Sequence, residues 1–222
     1  MITPVNDLAP TAPAADRIGP IIQSLRQTHP DFHVELDHTN AFELLIATIL
    51  SAQSTDVRVN QVTPTLFAEF PTPAALAAAP RERVEAIIHP VGFYRQKAKF
   101  IQETARLLVE RHNGEVPGDL AALTQLPGAA RKTANVVLGN WFGIKSGVVV
   151  DTHVKRLSNR LGLTTHTDPL KIEQDLMTLV PQDDWVDVSH LLIFHGRRVC
   201  FARKPNCPTC TISHLCPSAG TA

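Results

Sequence analysis

Before position 200 the chain has no cysteine; all four occur as Cys200-x6-Cys207-x2-Cys210-x5-Cys216. It also lacks an N-terminal stretch resembling a secretory signal, and no apolar run approaches the ~20 residues needed to cross a bilayer. Together these absences point to a cytoplasmic protein without a membrane partner, and they disfavour a pair of disulfides. Net charge is missing as well: 21 basic residues balance 21 acidic ones, so no global field marks a polyanion as partner. Strand signals are almost absent. Val148-Val149-Val150 is the one strand-like run, too short and too solitary to build a sheet, so the fold class is all-α.

What the chain does have is helical period. Phe42, Leu45, Ile46, Ile49 and Leu50 recur at spacings of three and four, with Thr39 and Asn40 as caps; Leu44 widens the stripe, which predicts a deeply buried helix. The same period places Ala134, Val137, Leu138 and Trp141 in a core, and likewise Trp185, Val188 and Leu192, the face that also takes in His195 as a packed histidine. Prolines, among them Pro64, Pro127 and Pro169, are expected at helix boundaries. Residues 1–15, rich in Pro, Ala and Thr, read as a disordered extension. Basic residues are locally segregated: Arg95, Lys97 and Lys99; Arg131 and Lys132; Lys155, Arg156 and Arg160; Arg197, Arg198, Arg203 and Lys204.

Two motifs carry chemistry. Leu126-Pro127-Gly128-Ala129-Ala130 joins two predicted helices, where Pro127 stiffens the turn, Gly128 permits positive φ, and the following helix opens with unbonded amides. Such a helix–hairpin–helix is a phosphate site blind to base sequence. The second motif is the cysteine loop. Four thiolates in so short a span suit an iron–sulfur cluster or a structural zinc, and gaps of six and five residues fit a loop wrapped around the larger of the two.

Leu126 to Val137, then Val150-Asp151-Thr152-His153, then the four cysteines, closely resemble the endonuclease III family of helix-hairpin-helix DNA glycosylases, as does Leu50-Ser51-Ala52-Gln53-Ser54-Thr55-Asp56 upstream. The likeness spans roughly residues 17–217. It implies Lys132 as nucleophile, Asp151 as its carboxylate partner, and Cys200, Cys207, Cys210 and Cys216 as ligands of a [4Fe-4S] cluster. It also implies a two-lobed fold around a DNA cleft, with residues 34–145 in one lobe and 16–33 plus 146–222, including the cluster loop 200–216, in the other. The residue types agree with that chemistry. Breaking the bond at the sugar C1′ with an amine yields an imine that then loses the 3′ phosphate, and lysine supplies such an amine. Asp151 would stabilise the positive charge on the sugar while capping its own helix.

Damaged double-stranded DNA hides its base, so the nucleotide must be flipped out and the gap filled. Gln53 matches the family's gap-filling residue and Phe93 its wedge, although Phe93 also reads as core; Gly128, Ala130 and Arg131 would meet the backbone, with Arg203 and Lys204 beside the cluster loop. Two residues depart from the family pattern. Ala130 stands where a second glycine is common, which puts the turn's conformation in question, and Phe93 is bulkier than the usual aliphatic residue. The expected function is a bifunctional glycosylase and AP lyase of base excision repair acting on oxidised pyrimidines, as a monomer, cytoplasmic and nucleoid-associated when bound. The rivals are a non-catalytic DNA-binding or redox-sensing iron–sulfur protein, and a monofunctional adenine glycosylase. The latter usually lacks the lysine and has a further domain, whereas this sequence ends six residues after Cys216.

Overall fold

The computed structural model describes residues 8–221. Among them there are helices and turns and no strand, and Val148 to Val150 run extended without pairing. The chain forms two compact units, one of Val34–Ser146 and one combining the segment before Val34 with the segment from Gly147 onward.

The continuous unit is built on α2 (Ala41–Leu50), in which every residue from Leu44 to Leu50 is buried. Its start is fixed locally: the Asn40 side chain accepts from Glu43 N at 2.9 Å, and the Glu43 carboxylate reaches back to Thr39 N and Oγ1. Around it pack α3 (Asp56–Glu69), α4 (Pro73–Ala78), α5 (Arg81–Ile88), α6 (Tyr94–His112), α7 (Leu120–Thr124) and α8 (Arg131–Asn140). Val59, Leu66, Val84, Ile101, Ala105, Val137 and Leu138 close one core with α2. Each such aliphatic side chain contributes about 1.5–3 kcal/mol by leaving water.

Two sequence expectations fail in this unit. Pro64 lies inside α3 rather than at its boundary. A proline there forfeits a helical hydrogen bond, but Val59, Val62, Thr63 and Leu66 are buried on both sides of it, and that packing carries the helix through. Trp141 is not core but 43% exposed, because α8 has ended and Trp141 is its C-cap.

The discontinuous unit packs α1 (Ala14–Thr28) with α9 (Thr152–Arg160), α10 (Pro169–Leu179) and α11 (Trp185–Arg198), followed by short 3-10 turns at Cys207–Thr209 and Ser213–Leu215. Ile21, Leu25, Leu157, Leu176, Leu192, Ile212 and Leu215 form its core. Here the expected extension is too long. Ala14 and Ala15 already belong to α1, Leu8 packs against the core, and the Ala12 carbonyl accepts from Arg17 Nε at 2.8 Å; residues 1–7 lie outside the described residues. The buried Arg17 guanidinium also donates from Nη1 to the carbonyls of Leu161 (2.7 Å) and Leu215 (2.8 Å).

Candidate active-site residues and cysteine pocket

The hairpin between α7 and α8 is anchored by two buried apolar residues, Leu126 and Ala129, and by Thr104 of α6, whose hydroxyl donates to the Pro127 carbonyl at 2.8 Å. Gly128 has φ +78°, and a Cβ there would stand 2.9 Å from Ile49 Cγ2 and 3.2 Å from Phe100 Cδ2. Both the backbone angle and the close approach therefore demand glycine. Ala130 is different. Its φ of −66° and ψ of 171° are open to any L-residue and its side chain is exposed, so alanine in place of a second glycine does not strain the turn.

Ala130 is the N-cap of α8 and has no side chain able to cap it. The first intrahelical bond runs from Ala134 N to the Ala130 carbonyl, so the amides of residues 131 to 133 meet no carbonyl of their own helix. A helix start of this kind suits an anion, and Lys132 is exposed in its first turn with Arg131 half-exposed beside it.

Gln53 and Phe93 lie in the same unit, on neighbouring loops: a Cβ on Gly92 would be 4.0 Å from the Gln53 carbonyl oxygen. Both are in the left-handed region, at φ 54° and 57°, although neither is glycine. Such residues carry about 1–3 kcal/mol of strain each and concentrate at functional sites. Phe93 is 69% exposed, which removes its reading as core. Lys97 runs the other way. Grouped by sequence with exposed Arg95 and Lys99, it is 4% exposed, its Nζ meets no hydrogen-bond partner, and burial lowers its pKa. Helical spacing is the signal that separates it: Lys97 stands four residues before Ile101 and eight before Ala105 on the buried face of α6, whereas Arg95 and Lys99 lie off that face.

Asp151 belongs to the discontinuous unit, so Lys132 and Asp151 come from different units. It is the N-cap of α9, its Oδ1 accepting from His153 N and Val154 N, each at 2.8 Å. The half-buried carboxylate is thereby held in one orientation. Farther along α9, Arg156 Nη2 donates to the carbonyls of Gly196 (3.0 Å) and Cys200 (2.9 Å).

All four cysteines are free and half-buried, and all four line one pocket, together with Leu157, Arg160 and His195. The disulfide alternative is thus not what the fold forms. Burial raises the thiol pKa of Cys210 and Cys216, and their neighbouring cysteines push the same way. Four thiolates together need a positive centre among them. Four free thiols lining one pocket are a donor set of the kind that an iron–sulfur cluster or a structural zinc takes.

Arg160 holds the first arm of the loop, donating to Cys200 Sγ at 3.2 Å and to the carbonyls of Phe201 (2.7 Å) and Ala202 (3.1 Å). Arg203 and Lys204 follow, both exposed, Lys204 with φ 54°. His195 is 1% exposed, its imidazole pushed down to about 4 by burial and then by His29; its Nε2 lies 3.3 Å from Cys210 Sγ. It is the packed histidine that the sequence suggested.

An all-helical chain with an uncapped hairpin helix is the class of the helix-hairpin-helix repair proteins, and the family model described as HhH-GPD superfamily base excision DNA repair protein matches residues 46–182. Endonuclease III of Synechocystis sp. is 55% identical over 203 residues, 91% of this chain and 93% of that one. Endonuclease III of Escherichia coli strain K12 is 46% identical over 196 residues, 88% and 92% respectively. A trapped endonuclease III–DNA covalent intermediate superposes with TM-score 0.88 at 44% identity, over 92% of this chain and 96% of that one. The chain belongs to the endonuclease III family. It is a base excision repair enzyme, a DNA glycosylase with AP-lyase activity.

Proposed function

We propose that the enzyme excises oxidised pyrimidines from duplex DNA and cuts the resulting site by β-elimination through an imine on Lys132. The observation that carries this reading is Lys132 itself, exposed in the first turn of an uncapped helix directly after a phosphate-binding hairpin. A relative at 44% identity has been trapped covalently on DNA, which agrees with an amine nucleophile.

The hairpin amides hold the DNA backbone with Gly128, Ala130 and Arg131 at the contact, while Gln53 and Phe93 occupy the space left by the flipped nucleotide. The neutral Lys132 amine forms a bond to C1′ as the C1′–N bond to the damaged base breaks, and the base leaves with a proton. Asp151, fixed by two backbone amides, stabilises the positive charge on the sugar during this step. The nitrogen lone pair then opens the sugar ring to the imine. Loss of a C2′ proton expels the 3′ phosphate, and water releases Lys132.

The four cysteines would hold a [4Fe-4S] cluster, which supplies a fold-stabilising centre rather than a step in base removal. Arg203 and Lys204, on the loop that this centre shapes, extend the phosphate-binding surface. On this reading the enzyme works as a monomer on nucleoid DNA in the cytoplasm; among the described residues no helix is long and apolar enough to cross a membrane. Borohydride reduction on a duplex bearing thymine glycol or an abasic site tests the chemistry: a covalent adduct is expected, lost in Lys132→Gln. An adduct that survives this substitution moves the nucleophile elsewhere.

A further inference from the structure

Two buried imidazoles form a line that ends on one of the four sulfurs. His29, the C-cap of α1, places Nε2 3.1 Å from Nδ1 of His195, and His195 Nε2 lies 3.3 Å from Cys210 Sγ. The rings meet edge to face, with centroids 5.4 Å apart, and both residues are at most 3% exposed. His195 is tied to the loop a second time, since its backbone carbonyl accepts from Cys200 N at 2.8 Å.

The chemistry of the sulfur fixes the direction of this line. A cluster-bound cysteine is a thiolate and has no proton to give, so a hydrogen bond at this position needs the proton on His195 Nε2. Nδ1 of the same neutral ring is then an acceptor, and the proton between the rings belongs to His29 Nε2. One sulfur ligand also receives Arg160, at Cys200; the imidazole line serves a different one. Hydrogen bonds to ligand sulfurs withdraw charge from a cluster and favour its reduced, more negative state.

We infer that His195, oriented by His29, donates a hydrogen bond to Cys210 and raises the reduction potential of the cluster. The inference rests on the iron–sulfur reading above. His195 acts through Cys210, so it is a positioning residue, without contact to DNA or to the reacting sugar. Through His29 the end of α1 is joined to the electronic state of the centre.

Film voltammetry with iron analysis on the full-length holoprotein tests the idea. His195→Leu, which keeps volume and removes the donor, should retain full iron and lower the potential. At a fixed potential the ratio of oxidised to reduced cluster should rise about tenfold, or about 59 mV for one electron. His29→Leu should move the potential the same way by less, and His195→Gln, whose amide N–H replaces the donor, should return most of the shift. His195→Leu with full iron and the wild-type potential overturns the inference while leaving the cluster in place. If His195→Leu assembles no cluster, His29→Leu decides, and full iron with an unmoved potential in that variant overturns it. A wild-type protein that contains zinc or no metal fails earlier, at the iron–sulfur reading itself.

Discussion

The two units differ in what surrounds the side chains proposed for the chemistry. In the unit of residues 34–146, α8 has no side-chain cap, Lys132 is exposed, and Gln53 and Phe93 are held exposed at positive φ. In the other unit Arg203 and Lys204 are exposed as well, but the side chains around the cysteines and at the start of α9 are engaged. Arg17, Arg156 and Arg160 bind backbone carbonyls, Asp151 binds two amides, and His195 meets a sulfur. At the hairpin and its neighbouring loops a cation and strained backbone face solvent, whereas around the cysteines and Asp151 donors fix a loop and a carboxylate. The difference fits the roles proposed for each. A surface that grips a backbone needs unpaired donors, while a carboxylate that stabilises a transition state works best when it does not reorganise.

Substitutions can break or sharpen that contrast. The largest effect is expected at Lys132→Gln, which should abolish the trapped adduct and leave the melting temperature unchanged, because the side chain is exposed. Asp151→Asn separates cap from charge: asparagine caps as well as aspartate, so stability should hold within about 0.5 kcal/mol while the rate of base release falls by about 10²–10⁴-fold. A comparable loss of stability would show instead that Asp151 is chiefly structural. Arg17→Ala should cost about 3 kcal/mol by urea denaturation, since it strips two buried carbonyl contacts and a part-buried one at once. Lys97→Met tests the unit of residues 34–146, where a buried amine has no partner, and should stabilise the fold by about 1 kcal/mol or more. The smallest change is expected at Arg203→Ala, which should reduce the salt dependence of DNA binding by about one counterion; an unchanged slope would remove this residue from the interface.

Much of this was legible in the residues because local chemistry decided it. Asn40 and Asp151 cap their helices as their types predict, Gly128 occupies the positive φ that its place in the hairpin requires, and the bulk of α2 is buried as its widened stripe implies. What was not legible depended on packing. Pro64 continues a helix because neighbours on both sides are buried, and Trp141 leaves the core because α8 stops one residue earlier. Lys97 shares its helix face with Ile101 and Ala105, but a lysine's charge argues for solvent, and packing buries it. The left-handed backbone at Gln53 and Phe93 had no signal either, since no glycine or asparagine marks those positions. The strain is paid at the loop and shows only in three dimensions.

The hydrogen bond from Arg17 to the Leu215 carbonyl joins residues 198 positions apart in sequence. During translation α1 is made early, but its guanidinium lacks one of its three carbonyl partners, that of Leu215, until the cysteine loop has left the ribosome. The unit of residues 34–146 has no such dependence on later sequence and can fold while synthesis continues. The unit of residues 34–146 is therefore expected to mature first on the growing chain, and α1 to complete its contacts only when the cysteine loop arrives.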